Sequence, residues 1–135
     1  MGTDKMLTTR FYQNLGKLFY AMAAIDNTVR NEELNQLIVM VKNEWLTSND
    51  IENSFKTNAE DAIVNTFKWL HNDKEYDADV CYNSFLAFKK ENEQLFTPTI
   101  NKLILKTAQA IASAFSGVNK SELILLTKLN LELNK

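Results

Sequence analysis

The sequence has few residues that interrupt helices or crosslink chains: one cysteine, one proline and three glycines among 135 residues. A single cysteine excludes an intrachain disulfide framework and a cysteine-rich zinc module. So few glycines exclude the glycine loops that bind phosphates and dinucleotides. No apolar run approaches the ~20 residues that a membrane-spanning helix needs. We therefore expect a soluble, cytoplasmic protein that does not insert into membranes.

An excess of charge of either sign is also lacking, because 15 Lys and Arg face 17 Asp and Glu, for a net charge of −2. A chain so balanced is not expected to bind nucleic acid or an anionic membrane electrostatically. Its hydrophobic content of 45% is typical of a chain with a packed core. We predict a single domain over residues 1–135, because this length suits one core.

Apolar residues recur at three- and four-residue steps along most of the chain, which predicts an all-α bundle of about six helices. The first helix is predicted over residues 8–25 and the second over residues 30–45, and a link this short indicates a helical hairpin. Residues 47–58 are predicted as a polar linker and residues 71–79 as an acidic loop. Thr97-Pro98 predicts a helix start, because Thr caps helices and Pro suits the first helical position.

Buried faces can be predicted for the later helices from the same spacing. The fourth helix is predicted to bury Val80, Phe85 and Phe88. The last helix begins after Asn119, which forms a predicted capping box with Glu122. Its predicted buried residues are Leu123, Ile124, Leu126, Leu129 and Leu133.

A weak internal repeat relates residues 24–34 to residues 113–123. The matched positions share physical roles: a buried Val at the turn, a Glu in the first turn of the next helix, and a Leu that opens its apolar stripe. The matched pairs are Val29 with Val118, Glu33 with Glu122, and Leu34 with Leu123. The repeat predicts that the bundle contains two related helical hairpins.

The first copy of this repeat also resembles a known family. An alanine-rich helix end is followed by Asp26, Val29 and Glu33-Leu34, a pattern similar to the signature of the TerB-like tellurite-resistance proteins. The same signature is seen in the helical N-terminal part of some DnaJ-like co-chaperones. Here Asn27 stands where the family has Gly, and Phe115 stands at the Asp position of the second copy.

The resemblance implies an all-helical bacterial cytoplasmic domain that takes part in tellurite resistance and stress response, with no established enzyme activity. It also implies a divalent metal site at Asp26 and Glu33, with Glu122 as the third candidate ligand. Ca²⁺ takes about six to eight oxygen ligands, so water would complete such a site. An alternative stays open in which Asp26 is a turn residue and Glu33 a first-turn carboxylate favoured by the helix dipole. The chain would then be a non-metal scaffold that binds other proteins or itself.

Other chemistry has little support in the sequence. The acidic run at residues 73–79 lacks the Gly and the final Glu of an EF-hand loop. His71 and Cys81 flank this run as candidate zinc ligands, with a packed thiol and a dipole-facing imidazole as the alternatives. His71 is the single imidazole, and no nucleophile motif accompanies it. We therefore predict that the protein is not an enzyme.

Three aromatic residues, Tyr12, Tyr20 and Trp69, fall off or at the edge of the apolar stripes. They are predicted either to form an exposed recognition surface or dimer contact, or to lie at the border of the core.

Overall fold

The structure is a computed structural model that describes residues 2–25, 29–45, 53–73, 77–114 and 118–134. The described residues form an all-α bundle without strands, which confirms the predicted fold class. Its helices are α1 (Gly2–Ala24), α2 (Asn31–Met40), α3 (Asn53–Asp73), α4 (Ala78–Glu91), α5 (Pro98–Ala112) and α6 (Lys120–Leu133). A π-helical turn, Val41–Trp45, continues α2, and a 3₁₀ turn, Glu93–Leu95, precedes α5. Within these ranges no helix is long and apolar enough to cross a bilayer.

Helix α1 is the centre of the bundle and packs against α3, α4, α5 and α6. Its residues 18–23 are all buried, and a helix that is buried on every side must be surrounded by neighbours. Gly16 shows how close one neighbour comes, because a Cβ atom there would lie 2.7 Å from Cβ of Thr66 and 2.8 Å from the carbonyl oxygen of Ile63. Any larger residue at this position would therefore push α3 away from α1.

Aromatic rings join α1, α4 and the segment that leads into α5. Phe96 contacts the rings of Phe11 and Phe85 edge-on, with centroids 5.5 Å and 5.8 Å apart. This geometry is favourable because the positive edge of one ring meets the negative face of the other. The contacts fix the start of α5 against the central helix.

The predicted helix start at Thr97-Pro98 is confirmed. The hydroxyl of Thr97 accepts a hydrogen bond from the Ile100 N–H at 3.2 Å, and Pro98 occupies the first helical position. Helix α4 begins in the same way, because the Asp77 carboxylate accepts a bond from the Val80 N–H at 2.7 Å. Both side chains satisfy amide groups that a helix cannot pair by itself.

Several predicted boundaries are wrong. Helix α1 begins at Gly2, and α3 extends from Asn53, inside the predicted linker, to Asp73, inside the predicted acidic loop. These added turns carry little apolar periodicity in the sequence, so spacing alone makes the helices too short. Helix α5 ends at Ala112, and the Ser113 hydroxyl that follows donates back to the Gln109 carbonyl at 2.8 Å.

Val80 is not the anchor that its apolar character predicted, because its side chain is 54% exposed. The buried face of α4 passes instead through Ala78, Cys81, Phe85 and Phe88.

Helix α6 packs on α5 and α1, and α2 packs on α5 and α3. That the bundle contains two related helical hairpins stays a prediction.

Candidate functional site

The structure describes two of the three candidate metal ligands, Glu33 and Glu122. Asp26 lies outside the described residues. Glu33 is buried in the first turn of α2, where its Oε1 accepts a hydrogen bond from the Arg30 N–H at 2.8 Å. The Arg30 side chain has no oxygen that could accept a hydrogen bond from α2 in return. Of the two bonds of a capping box, the start of α2 therefore has only the one accepted by Glu33.

Glu122 occupies the equivalent position in α6 and is also buried. Its Oε1 accepts a bond from the Asn119 N–H at 3.0 Å, and Asn119 Oδ1 accepts one from the Glu122 N–H at 2.9 Å. The capping box predicted at Asn119 is therefore confirmed. The geometry gives Glu33 and Glu122 the same local role, which is the capping alternative to metal ligation.

A metal site stays a prediction. The described residues contain no cluster of three or more His, Cys, Asp or Glu side chains that could hold an ion. In the acidic run, Asp77 caps α4, and the Asp79 side chain is exposed. The site implied by the resemblance needs Asp26, which lies outside the described part of the chain.

Cys81 is a buried thiol, in agreement with its predicted packed role. Burial raises its pKa to about 11, with Asp77 adding to the shift and Lys17 opposing it. A thiol with such a pKa is almost entirely protonated at neutral pH and is a poor nucleophile and metal ligand. His71 lies in the last turn of α3 and is half-buried.

Of the three aromatic residues predicted either to be exposed or to lie at the border of the core, only Trp69 is exposed. Tyr12 and Tyr20 are buried because they lie on the central helix, whose neighbours cover it on several sides. Desolvation raises the pKa of Tyr12 to about 12. Trp69, on α3, is 54% exposed.

The largest deviation from the predicted burial is on α6. Leu123 and Ile124, predicted to be buried, are 59% and 48% exposed, and Leu131 is 66% exposed. With 3.6 residues per turn, these three side chains share the face of α6 that points away from the core. The opposite face packs inward and comprises Glu122, Leu125, Leu126, Leu129 and Leu133. Helix α6 is therefore apolar on two sides, and only one side is covered by the described residues.

A shallow groove of ≈ 250 Å³ extends this outer face of α6 towards α5. It is bordered by Leu123 and Thr127 from α6 and by Leu105 from α5. Adjoining exposed leucines and a groove form an apolar patch of the kind that marks a protein-interaction site. The number of Leu and Ile residues in α6, which is too large for one buried face, is the sequence signal that could have indicated it.

Comparison with protein-family models, with curated proteins and with solved structures finds no match to this chain.

Proposed function

We propose that this protein is a non-catalytic helical interaction module that pairs with a second copy of itself through the outer face of α6. The observation that carries the proposal is the row of exposed apolar side chains Leu123, Ile124 and Leu131 on a helix whose other face is already in the core. Association would remove this apolar surface from water.

The pattern on this face suits a two-fold arrangement. Leu123 and Leu131 lie four residues on either side of Thr127. If two α6 helices pack antiparallel about an axis at Thr127, Leu123 of each copy meets Leu131 of the other. A two-fold interface requires such self-complementarity, because the same patch serves both subunits.

Charge favours the same antiparallel orientation. Lys120 is the first residue of α6 and lies on the outer face, one turn before Leu123 and Ile124. A cation at a helix N-terminus is unfavourable within its own helix, because that end carries partial positive charge. Antiparallel pairing places Lys120 beside the last turn of the second α6, the end of that helix that carries partial negative charge.

The size of the outer face of α6 sets the affinity that we expect for the dimer. A contact between two helices of 14 residues lies at the small end of specific interfaces, even with the adjoining groove. We therefore expect a dissociation constant on the order of 10–100 µM, far weaker than that of an obligate dimer.

Sedimentation equilibrium across a range of protein concentrations tests this proposal. The apparent mass of the wild-type protein should rise above 15.5 kDa as concentration increases, whereas Leu131→Gln should stay monomeric over the same range. Val80→Gln is the matched control, because Val80 is a similarly exposed apolar residue on α4. A wild-type protein that stays monomeric, or a control that loses association equally, would contradict the proposal.

A further inference from the structure

A second surface lies away from α6, between helices α3 and α4. Both helices pack on α1, and their described residues have little contact with each other. The groove that remains between them has α1 as its floor and a volume of ≈ 450 Å³, within the range of small-molecule sites. The close approach at Gly16 brings Thr66 of α3 to one wall of this groove.

The floor of the groove supplies two cations. Arg10 and Lys17 are separated by about two turns of α1, so their backbones are ~10 Å apart along the same face. Lys17 Nζ donates a hydrogen bond to the Ser84 hydroxyl at 3.2 Å, and the Arg10 guanidinium lies 5.6 Å from the centroid of the Phe88 ring. Neither cation forms an ion pair with a carboxylate of the described residues.

One acidic residue, Glu91, lines the groove, so the formal charge of the lining is positive although the chain as a whole is negative. Two cations without a carboxylate partner in the described part of the chain retain their capacity to hold an anion. The Ser84 hydroxyl beside Lys17 offers a hydrogen bond in addition to the charge.

The groove also offers a surface for an aromatic ring. Trp69 lines it and is the one aromatic side chain among the large hydrophobic residues that are exposed in the described chain. An exposed indole next to cations provides a stacking surface for a planar group, as in sites that bind nucleobases.

We propose that this groove binds a small organic anion that combines a planar ring with a phosphate or carboxylate group. The ring stacks on Trp69, and Lys17 and Arg10 hold the anionic group, with the Ser84 hydroxyl as a further donor. This site shares no residue with the outer face of α6, so it is independent of the proposed self-association.

Fluorescence titration of the Trp45→Phe variant tests the proposal, because Trp69 is then the sole tryptophan. Adenosine monophosphate and 1-naphthoate serve as phosphate and carboxylate probes, and adenosine and inorganic phosphate separate the ring from the charge. At least one of the two combined probes should change the emission with a saturable curve and bind about tenfold more tightly than adenosine or phosphate alone. Thermal shifts of the unaltered protein with the same probes give a readout that does not depend on Trp45.

Charge variants make the test specific to this groove. Lys17→Gln should weaken binding of the combined probe about tenfold, the loss expected for one charge-assisted hydrogen bond. Lys90→Gln, an exposed lysine of α4 that does not line the groove, should leave binding unchanged. No saturable response to either combined probe up to about 10 mM, or equal losses in the two lysine variants, would overturn the proposal.

Discussion

The starts of α2 and α6 carry the same matched residues in different surroundings. At the start of α2, Val29 and Leu34 are half-buried and pack against the core, whereas at the start of α6, Val118 and Leu123 are 42% and 59% exposed. The glutamates at both helix starts are buried and accept a hydrogen bond from the residue that precedes the helix. The hydrogen bond to a glutamate is therefore repeated at both helix starts. The adjoining apolar residues are packed against the core only at the start of α2.

This difference shows which features of the repeat are local. A helix start needs an acceptor for its unpaired N–H groups wherever it lies, so the glutamate serves α2 and α6 alike. An apolar side chain is buried only where another element covers it, and α5 and α3 pack against α2. The outer face of α6 has no such cover among the described residues, and a second copy of the chain would supply it.

The largest expected change in the free energy of unfolding distinguishes the buried face of α6 from its outer face. Leu129→Ala should lower the free energy of unfolding by about 2–5 kcal/mol, as should Leu37→Ala in α2, because both side chains are fully buried. Leu131→Ala should change it by less than about 0.5 kcal/mol in dilute solution. Urea denaturation at low protein concentration measures all three. A loss at Leu131 as large as that at Leu129 would mean that the outer face is covered within the monomer.

The two glutamates should behave alike. Glu33→Ala and Glu122→Ala should each lower the free energy of unfolding by about 1–3 kcal/mol, because the part-buried N–H of Arg30 or of Asn119 loses its side-chain acceptor. The losses should be equal with and without a chelator if both residues act as caps. A loss at Glu33 that appears only with added divalent cation would contradict the capping role and support the metal site predicted with Asp26.

The matched leucines should differ in what they stabilise. Leu34→Ser should lower the free energy of unfolding by about 1 kcal/mol or more, because the side chain packs against the core. Leu123→Ser should leave the unfolding of dilute protein unchanged but weaken the concentration-dependent association. Urea denaturation and sedimentation of both variants check this contrast, and the reverse assignment of the two effects would refute it.

The smallest expected effect concerns the asymmetry of the caps. Asn119→Ala should cost about 1 kcal/mol, because it removes the side-chain acceptor for the Glu122 N–H. Arg30→Asn would supply the side-chain acceptor that arginine lacks at the start of α2, and should raise the free energy of unfolding by about 0.5 kcal/mol. Thermal unfolding of the two variants measures these shifts, and a destabilised Arg30→Asn would show that another contact of Arg30 outweighs the cap.

The features that could be predicted from the sequence are local ones. The capping box at Asn119 and the start at Thr97-Pro98 depend on residues within one turn, so spacing and residue type suffice for both. The burial of Tyr12 and Tyr20 depends on α1 being surrounded, which its own periodicity does not reveal.

The residues that form the candidate surfaces could not be identified from the sequence, for related reasons. In α6, apolar residues occupy two faces, and helical spacing does not say which face meets the core. The groove over α1 combines Lys17, Trp69 and Ser84 from three helices that are far apart in the sequence. Only the packing of α3 and α4 on α1 brings these side chains together.

A disulfide test at Thr127 addresses the central claim most directly, because the proposed axis places this residue opposite itself in the second copy. Cys81 is buried and its thiol pKa is raised, so the thiol introduced at the exposed position by Thr127→Cys is the more reactive one. Asn83→Cys, at an exposed site on α4, is the matched control. Under mild oxidation at protein concentrations near the expected dissociation constant, the Thr127 variant should form a covalent dimer while the Asn83 variant stays monomeric. Equal crosslinking of the two variants, or none at Thr127, would contradict the pairing of α6 with a second copy.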